Sequence, residues 1–407
     1  MKNRLPIKPL QLLCDDFKQD IVDGPFGSEL QRKDYITKGV PVLKIQNVKP
    51  FAIELKKMDY VSPAKFQELR RHSYRRGDIV MTKLGSPLGV SAIVENLDEG
   101  VIVADLVRIR AQRINTKYLC YHLNSQQTND FINSMQKGTT RPRVTLSVVR
   151  ELPIFVPSPA EQQRIVGLLD EAFAGLATAK ANAEKNLQNA RALFASHLQS
   201  VFTQRGKGWV EKPLGELATF RNGINYTKDS KGERIKIVGV RNFQKHFSAP
   251  LDDLDTVTID GKLSELDSLK QDDILAVRSN GNIDLIGRCI LVGEVTGKIS
   301  HSGFTIRIRL SNGIVLPKYV CHFMKSARSK KLLTEGGTGT NIKSLNQGML
   351  SALAIPFPPF AAQKVLVDQL ESLSEETQRL ASLYERKLAA LEALKKSLLH
   401  KAFNGEL

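Results

Sequence analysis

Cysteine is scarce in this 407-residue chain: there are four, Cys14, Cys120, Cys289 and Cys321. No two form a CxxC pair and no spacing suits a structural zinc site, which excludes zinc-finger and zinc-ribbon folds. So few thiols in so long a chain fit a reducing cytoplasm. The N-terminal "MKNRLPIKPL" has no apolar core, so a secretory signal peptide is not expected. Long hydrophobic runs are missing too. The longest uncharged stretch, residues 344–363, contains Asn346, Gln347, Pro356, Pro358 and Pro359, a combination that a membrane helix would not hold.

Catalytic motifs are equally absent. "GGTGTNIKS" (Gly336 to Ser344) approaches a phosphate-gripping loop but has Ile342 where the second glycine must sit. "FPPF" (Phe357 to Phe360) has the prolines of an amino-methyltransferase motif without the amide or carboxylate ahead of them, and its place before a helix makes it a turn. The seven histidines form no HxxxH or HExxH. Cys120 with His122, and Cys321 with His322, fall on an apolar helical segment and are expected to pack in a core rather than hold a metal.

Acidic residues are the scarcer charge, 42 Asp and Glu against 59 Lys and Arg, for a net charge of +17 and a pI near 9.6. That excess points to a polyanionic partner, nucleic acid before an anionic membrane surface. A length of 407 residues calls for two or more domains.

What the chain does have is a repeat. Shifted by 195 residues, "GDIV" (Gly77 to Val80) lies over "DDIL" (Asp272 to Leu275), and "LKIQNV" (Leu43 to Val48) over "VGVRNF" (Val238 to Phe243). Shifted by 201, "NTKYLCYHL" lies over "LPKYVCHFM", and "ELPIFVPSPAEQQRIV" over "ALAIPFPPFAAQKVLV". Each copy is a mixed globular part followed by a long helix. In the first helix an apolar or small series runs Ile165, Leu169, Ala172, Leu176, Ala179, Ala183, Leu187, Ala190, Phe194. The second runs Leu366, Leu370, Leu373, Thr377, Leu380, Tyr384, Leu388, Leu391, Lys395, with Thr377 and Lys395 as flaws and Leu394 beside the latter. Steps of three and four make a coiled-coil seam, and the partner expected for each helix is the other, antiparallel. Each is expected to be roughly 40 residues and about 60 Å long, opening after Pro159 in one copy and after Pro358 and Pro359 in the other.

In the globular part "VPVLKIQNV", "GDIVMTKLG", "GVSAIVENL" and "GVIVADLVRIRA" read as strands and "TKYLCYHLNSQQTNDFINSM" as one helix. The fold class expected is therefore α+β: two mixed α/β domains in tandem, residues 1–157 and 206–357, with helices at 158–205 and 358–407 packed as an antiparallel coiled coil. Charge sorts along the same lines. Residues 1–157 hold 25 Lys and Arg against 16 Asp and Glu, and 206–357 hold 22 against 15, whereas the helical segments hold 5 against 4 and 7 against 7. The globular parts are the expected polyanion contacts, with the helices holding them apart.

The candidate binding groups recur in both copies. "TKLGSPLG" and "VRSNGNIDLIG" correspond and place Lys83 opposite Arg278. "GTTRPRV" and "GTGTNIKSL" also correspond, the first carrying Arg141 and Arg143, the second Asn341 and Lys343. Together with Lys44 and Arg241 these are the residues expected to contact nucleic acid, through phosphate oxygens or base edges. "RRHSYRR" (Arg70 to Arg76) adds a basic cluster around an aromatic.

The chain resembles the specificity subunits of type I restriction–modification systems. The resemblance is carried by "DGPFGSELQRKDYITKGVPVLKIQNV", "RRGDIVMTK", "LPIFVPSPAEQQRIVGLLDE" and "LEALKKSLLHKAFNGEL", in the family's order of target domain, helix, target domain, helix. Ala362, where the first copy has Glu161, departs from the helix-opening pattern and is expected to weaken that start. The resemblance implies a non-catalytic, cytoplasmic prokaryotic subunit that holds no cofactor. Its two target-recognition domains would each read one half of a bipartite double-stranded DNA site. It would dock two methyltransferase subunits, which carry S-adenosylmethionine. Whether two motor-nuclease subunits using ATP and Mg also join is left open. The other readings open at this point are a stand-alone nucleic-acid-modifying enzyme with an unrecognised site, and a structural coiled-coil scaffold, against which the charge of the globular parts argues.

Overall fold

A computed structural model describes residues 6–85, 87–138, 141–204, 206–243, 247–311, 313–334, 344–404 and 406–407. The chain forms two compact units, one of residues 1–184 with 386–407 and the other of residues 185–385. The division falls inside both long helices, Pro159–Thr203 and Phe360–Asn404, each 45 residues. No helix among the described residues is long and apolar enough to cross a membrane.

In the first unit a four-stranded antiparallel sheet runs in the order Ser91–Ile93, Ile79–Thr82, Leu106–Ile109, Ile21–Asp23. A second sheet of five strands contains the parallel pair Val40–Leu43 and Glu99–Ile102. The segment "GVIVADLVRIRA", one strand by its composition, is thus two strands in two sheets. The chain crosses between them at residues 103–105, where the Leu106 N–H closes a turn on the Val103 C=O at 2.9 Å. Gly24 packs its backbone against this turn; a Cβ there would lie 2.1 Å from the Val103 carbonyl carbon, so only glycine fits. The segment expected as a single helix is likewise two, Thr116–Leu123 and Gln126–Met135, because the Ser125 hydroxyl accepts from the Thr128 N–H and starts a new helix.

The second unit repeats the plan. Its four-stranded sheet runs Cys289–Leu291, Ile274–Val277, Thr305–Leu310, Ala218–Asn222, and Arg234–Val238 pairs parallel with Ile299–His301. Buried arginine–carboxylate pairs recur as well. Asp78 takes Arg110 through Nε (2.8 Å) and Nη2 (2.7 Å), and Asp273 takes Arg309 the same way (2.6 and 2.7 Å).

The helix-opening motif finds its reason in a glutamine. Gln162 accepts the Asn115 N–H and donates to the Pro157 C=O, both at 2.9 Å. Gln363 accepts the Leu316 N–H and donates to the Pro358 C=O, again both at 2.9 Å. Each amide ties the start of a long helix to the start of an earlier one. Ala362 leaves this intact; what the second start lacks is the exposed pair of Glu161 with Arg164 and an acidic group in the first turn, contributions that solvent screening keeps small.

Every position of both predicted seams is buried or half-buried, including Thr377 and Lys395. Thr377 satisfies its hydroxyl on the Leu373 C=O at 2.8 Å. Lys395 holds the seam position itself, its ammonium 4.8 Å from the Phe51 ring centre and 4.9 Å from that of Phe173, while Leu394 is exposed. The pairing is antiparallel. In the first unit Lys180 meets Glu392 (2.7 Å) and Arg164 Nη2 donates to the Leu407 C=O (2.6 Å); in the second, Arg191 meets Glu385 (2.7 Å). The helix ends also complete the cores. Phe403 stacks edge-on with Tyr118 and His122 in the first unit, and Phe202 with Tyr319 and Phe323 in the second. Cys120, His122, Cys321 and His322 are all buried in these cores, as expected from their apolar setting.

Candidate nucleic-acid interface

In the first unit three of the expected residues come together. The Lys83 C=O accepts the Val144 N–H (3.0 Å), and the Gly85 N–H donates to the Pro142 C=O (3.0 Å). Leu84 bridges to Arg143, which also exchanges both backbone bonds with Lys137 (2.9 and 3.0 Å). The loop after strand Ile79–Thr82 and the loop carrying Arg141 and Arg143 therefore form one rim. The Lys83 N–H joins it to the crossover turn through the Asp105 C=O (3.0 Å).

Two of these bonds recur in the second unit. The Arg278 C=O accepts the Leu345 N–H (2.7 Å), and the Arg278 N–H donates to the Phe304 C=O (2.8 Å) in the turn between Ile299–His301 and Thr305–Leu310. The equivalence of Lys83 with Arg278, and of Val144 with Leu345, is thus a matter of hydrogen bonding as well as of sequence. Asn341 and Lys343 lie outside the described residues, as do Thr139 and Thr140. The Arg143 N–H is engaged by Lys137, so this amide is not one of those left for a phosphate.

The cations differ in availability. Arg141 is 70% exposed, with only Asp105 at 3.6 Å, and Arg143 is exposed. Arg278 is half-buried and has no ion pair among the described residues. Lys83 is buried, its Nζ held by Asp23 at 2.6 Å and lying 4.5 Å from the Phe26 ring centre. Lys44 is paired with Asp59 and stands over the Tyr35 ring at 4.2 Å. It follows Leu43, whose C=O accepts the Val103 N–H, so it lies beside the same crossover turn. Arg241 is held by Asp255 (2.9 Å) and Asp253 (3.8 Å). It is not the counterpart of Lys44. Asn47 accepts the Lys44 N–H and Asn242 accepts the Gly239 N–H, so Arg241 stands where the first copy has Gln46.

Two groups at the rims were not singled out from sequence: Phe26, 56% exposed, and Phe304, 59% exposed. A lone phenylalanine in "DGPFGSEL" or "HSGFTI" carries no periodic signal; its exposure follows from the turn that holds it.

The fold and the rims define a class: an internally duplicated α+β protein whose two copies set a cation, Lys83 or Arg278, on the same backbone bond, each copy sharing its core with two antiparallel helices. Residues 76–187 and 206–385 match the model of the type I restriction modification DNA specificity domain, and this chain belongs to that family. Among its relatives is the type I restriction enzyme StySPI specificity subunit of Salmonella potsdam, 26% identical over 72% of this chain and 66% of the relative. The EcoKI specificity subunit of Escherichia coli K12 is 22% identical over 49% of this chain and 44% of its own length. These matches span about two thirds and less than half of the two relatives. A putative type I restriction enzyme MjaX specificity subunit of Methanocaldococcus jannaschii is 21% identical over 93% of this chain and 89% of its own. In fold the chain is similar to one solved in a study of complex assembly and conformational transition of the type I R-M system (TM-score 0.75, 16% identity, 99% of this chain and 100% of the other). It is also similar to the HsdS subunit from Thermoanaerobacter tengcongensis (TM-score 0.61, 15% identity, 100% and 98%).

Proposed function

We propose that this chain is the DNA-reading subunit of a type I restriction–modification complex, and that each rim reads one half of a bipartite double-stranded site. The observation that carries this reading is the recurrence of one backbone bond, Lys83 with Val144 and Arg278 with Leu345, which sets a cation at the same place in two copies of otherwise different sequence. Different side chains on the same scaffold imply two different half-site sequences. Residues 1–157 and 206–357 act as the recognition domains, and the helices of 158–205 and 358–407 set the gap between half-sites. Arg143 and Arg278, and Arg141 with its long contact to Asp105, are the cations available to meet phosphates or purine edges, and Asn341 and Lys343 stand at the corresponding places of the second copy's sequence. Lys44, Lys83 and Arg241 contribute by shaping the surface unless DNA draws them from their carboxylates.

In this reading the chain is non-catalytic and binds no cofactor. Methyl transfer from S-adenosylmethionine belongs to two methyltransferase subunits docked on it, and ATP- and Mg-dependent translocation and cutting to two nuclease subunits where these exist. The test is methylation mapping in cells with and without the chain, and with Arg141→Ala/Arg143→Ala. Methylation at a two-part site should vanish without the chain. The double variant should lose or relax one half only. Methylation unaffected by deletion, or changed equally at both halves in the double variant, would refute the reading.

A further inference from the structure

The first unit holds a second basic feature, away from the rim. A cleft of about 640 Å³ is lined by Lys18, Arg70, Arg71, Arg75, Arg108 and Arg110, with Asp20 and Glu99 as its lining carboxylates. It lies at the Asp78 end of the strand whose other end leads into Lys83, about 16 Å away at 3.3 Å per residue.

Its charges are incompletely compensated from within. Arg70 is taken by Glu99 (2.8 Å) and Arg110 by Asp78, which also lies 3.9 Å from the Arg75 Nε. Asp20 accepts the Asp16 N–H (3.0 Å) and the Gln112 amide (3.2 Å). Lys18 and Arg71 are exposed and have no ion pair among the described residues. Arg108, only 4% exposed, donates through Nη2 to the Gln19 C=O, while its shielded Nε has no partner among the described residues. Burial, and then the neighbouring Arg110, lower the pKa of this guanidinium, while Asp78 and Asp20 act in the opposite direction.

The second copy shows what a filled version looks like. Asp273 and Arg309 match Asp78 and Arg110, and Arg307 matches Arg108 in being buried with an unpartnered Nε. There the segment of residues 264–268 closes the space. Arg307 Nη1 donates to the Leu266 C=O (2.7 Å), Arg309 Nη2 to the Ser268 C=O (3.1 Å), and Asp267 takes Arg221 (2.5 Å). In the shifted alignment Glu265 and Leu266 stand where the first copy has Arg70 and Arg71. The basic cleft is therefore a property of the first copy's sequence, not a by-product of the fold.

We infer that this cleft is an oxyanion site for phosphate groups, with Lys18 and Arg71 as its principal ligands and Arg108 supplying buried positive charge in its lining. Its volume suits a diphosphate or larger group, and guanidinium donors fit phosphate oxygens in paired geometry. Two sources share that chemistry, a free pyrophosphate-bearing compound and a nucleic-acid backbone. The site is separate from the rim, so it stands or falls independently of the proposed reading of half-sites.

The test is calorimetric titration of the full-length chain with sodium pyrophosphate, at ionic strength held constant with chloride. Saturable binding is expected, weakened at least tenfold in Lys18→Ala/Arg71→Ala, whose two side chains are exposed and unpaired, and unchanged in the exposed second-unit variant Lys262→Ala. A further arm adds a duplex lacking the methylated site. Displacement of pyrophosphate identifies the backbone as the source, and simultaneous binding identifies a free compound. Heat no greater than chloride produces, or equal binding by the double variant, overturns the site. Half-site methylation reports on the rim alone, so the two failures are distinguishable.

Discussion

Three histidines give this protein a stability that depends on pH. His122 accepts the Phe155 N–H through Nε2 at 3.1 Å and so presents its other nitrogen, as a donor, to the Thr128 hydroxyl at 3.1 Å. His301 meets the Thr305 hydroxyl at 2.9 Å. His322 lies against Phe247, ring centres 4.5 Å apart, and neither of its nitrogens has a partner among the described residues. Burial pushes the pKa values of His122 and His322 from 6.5 down to about 4, and that of His301 to about 3, with nearby Arg307 adding to the last and Lys325 to that of His322. A folded pKa below the unfolded one means the unfolded chain binds the extra protons. The stabilisation is complete above about pH 6.5 and is lost as pH falls towards 4, at up to about 1.4 kcal/mol per pH unit per group. Urea unfolding between pH 7 and 5 should show this fall. His322→Tyr, which installs the residue that the first copy carries as Tyr121, should flatten it by one proton; an unchanged slope would show that His322 is not charged on unfolding.

Each long helix is amphipathic along one stripe, and the stripe is used throughout. Leu370 is fully buried in the second unit's core beside Phe202 and Leu198. Leu370→Asp puts a carboxylate into this apolar core, a cost of about 3–5 kcal/mol. The variant should lower the unfolding midpoint and weaken DNA binding by the full chain, measured by denaturation and by electrophoretic shift; wild-type stability would mean the seam is not a core element. Lys395 survives in the equivalent stripe because its ammonium sits over two phenylalanine faces, a contact available to a long cation and not to a short carboxylate.

If the helices set the gap between half-sites, their length is a ruler. Ala183 is buried in the seam near the place where Lys180 meets Glu392. Matched insertions of four residues, after Ala183 and after Leu388, add about 6 Å and roughly one helical turn, which keeps the seam nearly in phase. About 3.4 Å per base pair along one strand makes this one to two base pairs. Methylation mapping should find the same two half-sites with a gap longer by that amount. An unchanged gap would end the ruler reading. Two-residue insertions at the same places turn the stripes away from each other and should abolish assembly.

The duplication, the period of the seam and the charge of the globular parts were legible in the sequence because each is carried by neighbours: 201 residues of offset, steps of three and four, and counts within a segment. Those features determined two copies, two long helices and a basic pair of domains. The tertiary structure decided where local pattern is ambiguous. "GVIVADLVRIRA" reads as one strand until Gly24, far away in sequence, approaches the turn at residues 103–105; the helix at 116–135 divides at Ser125. It also decided which cations are free. Lys83 and Arg141 look alike as letters, yet Asp23, sixty residues off, holds one while the other stays 70% exposed. Likewise nothing local to Arg108 says that it is buried with its Nε unpartnered among the described residues, or that a different loop closes the same space around Arg307. Pairing and desolvation depend on which distant residues the fold brings within a few ångströms, and a one-dimensional pattern does not contain that distance.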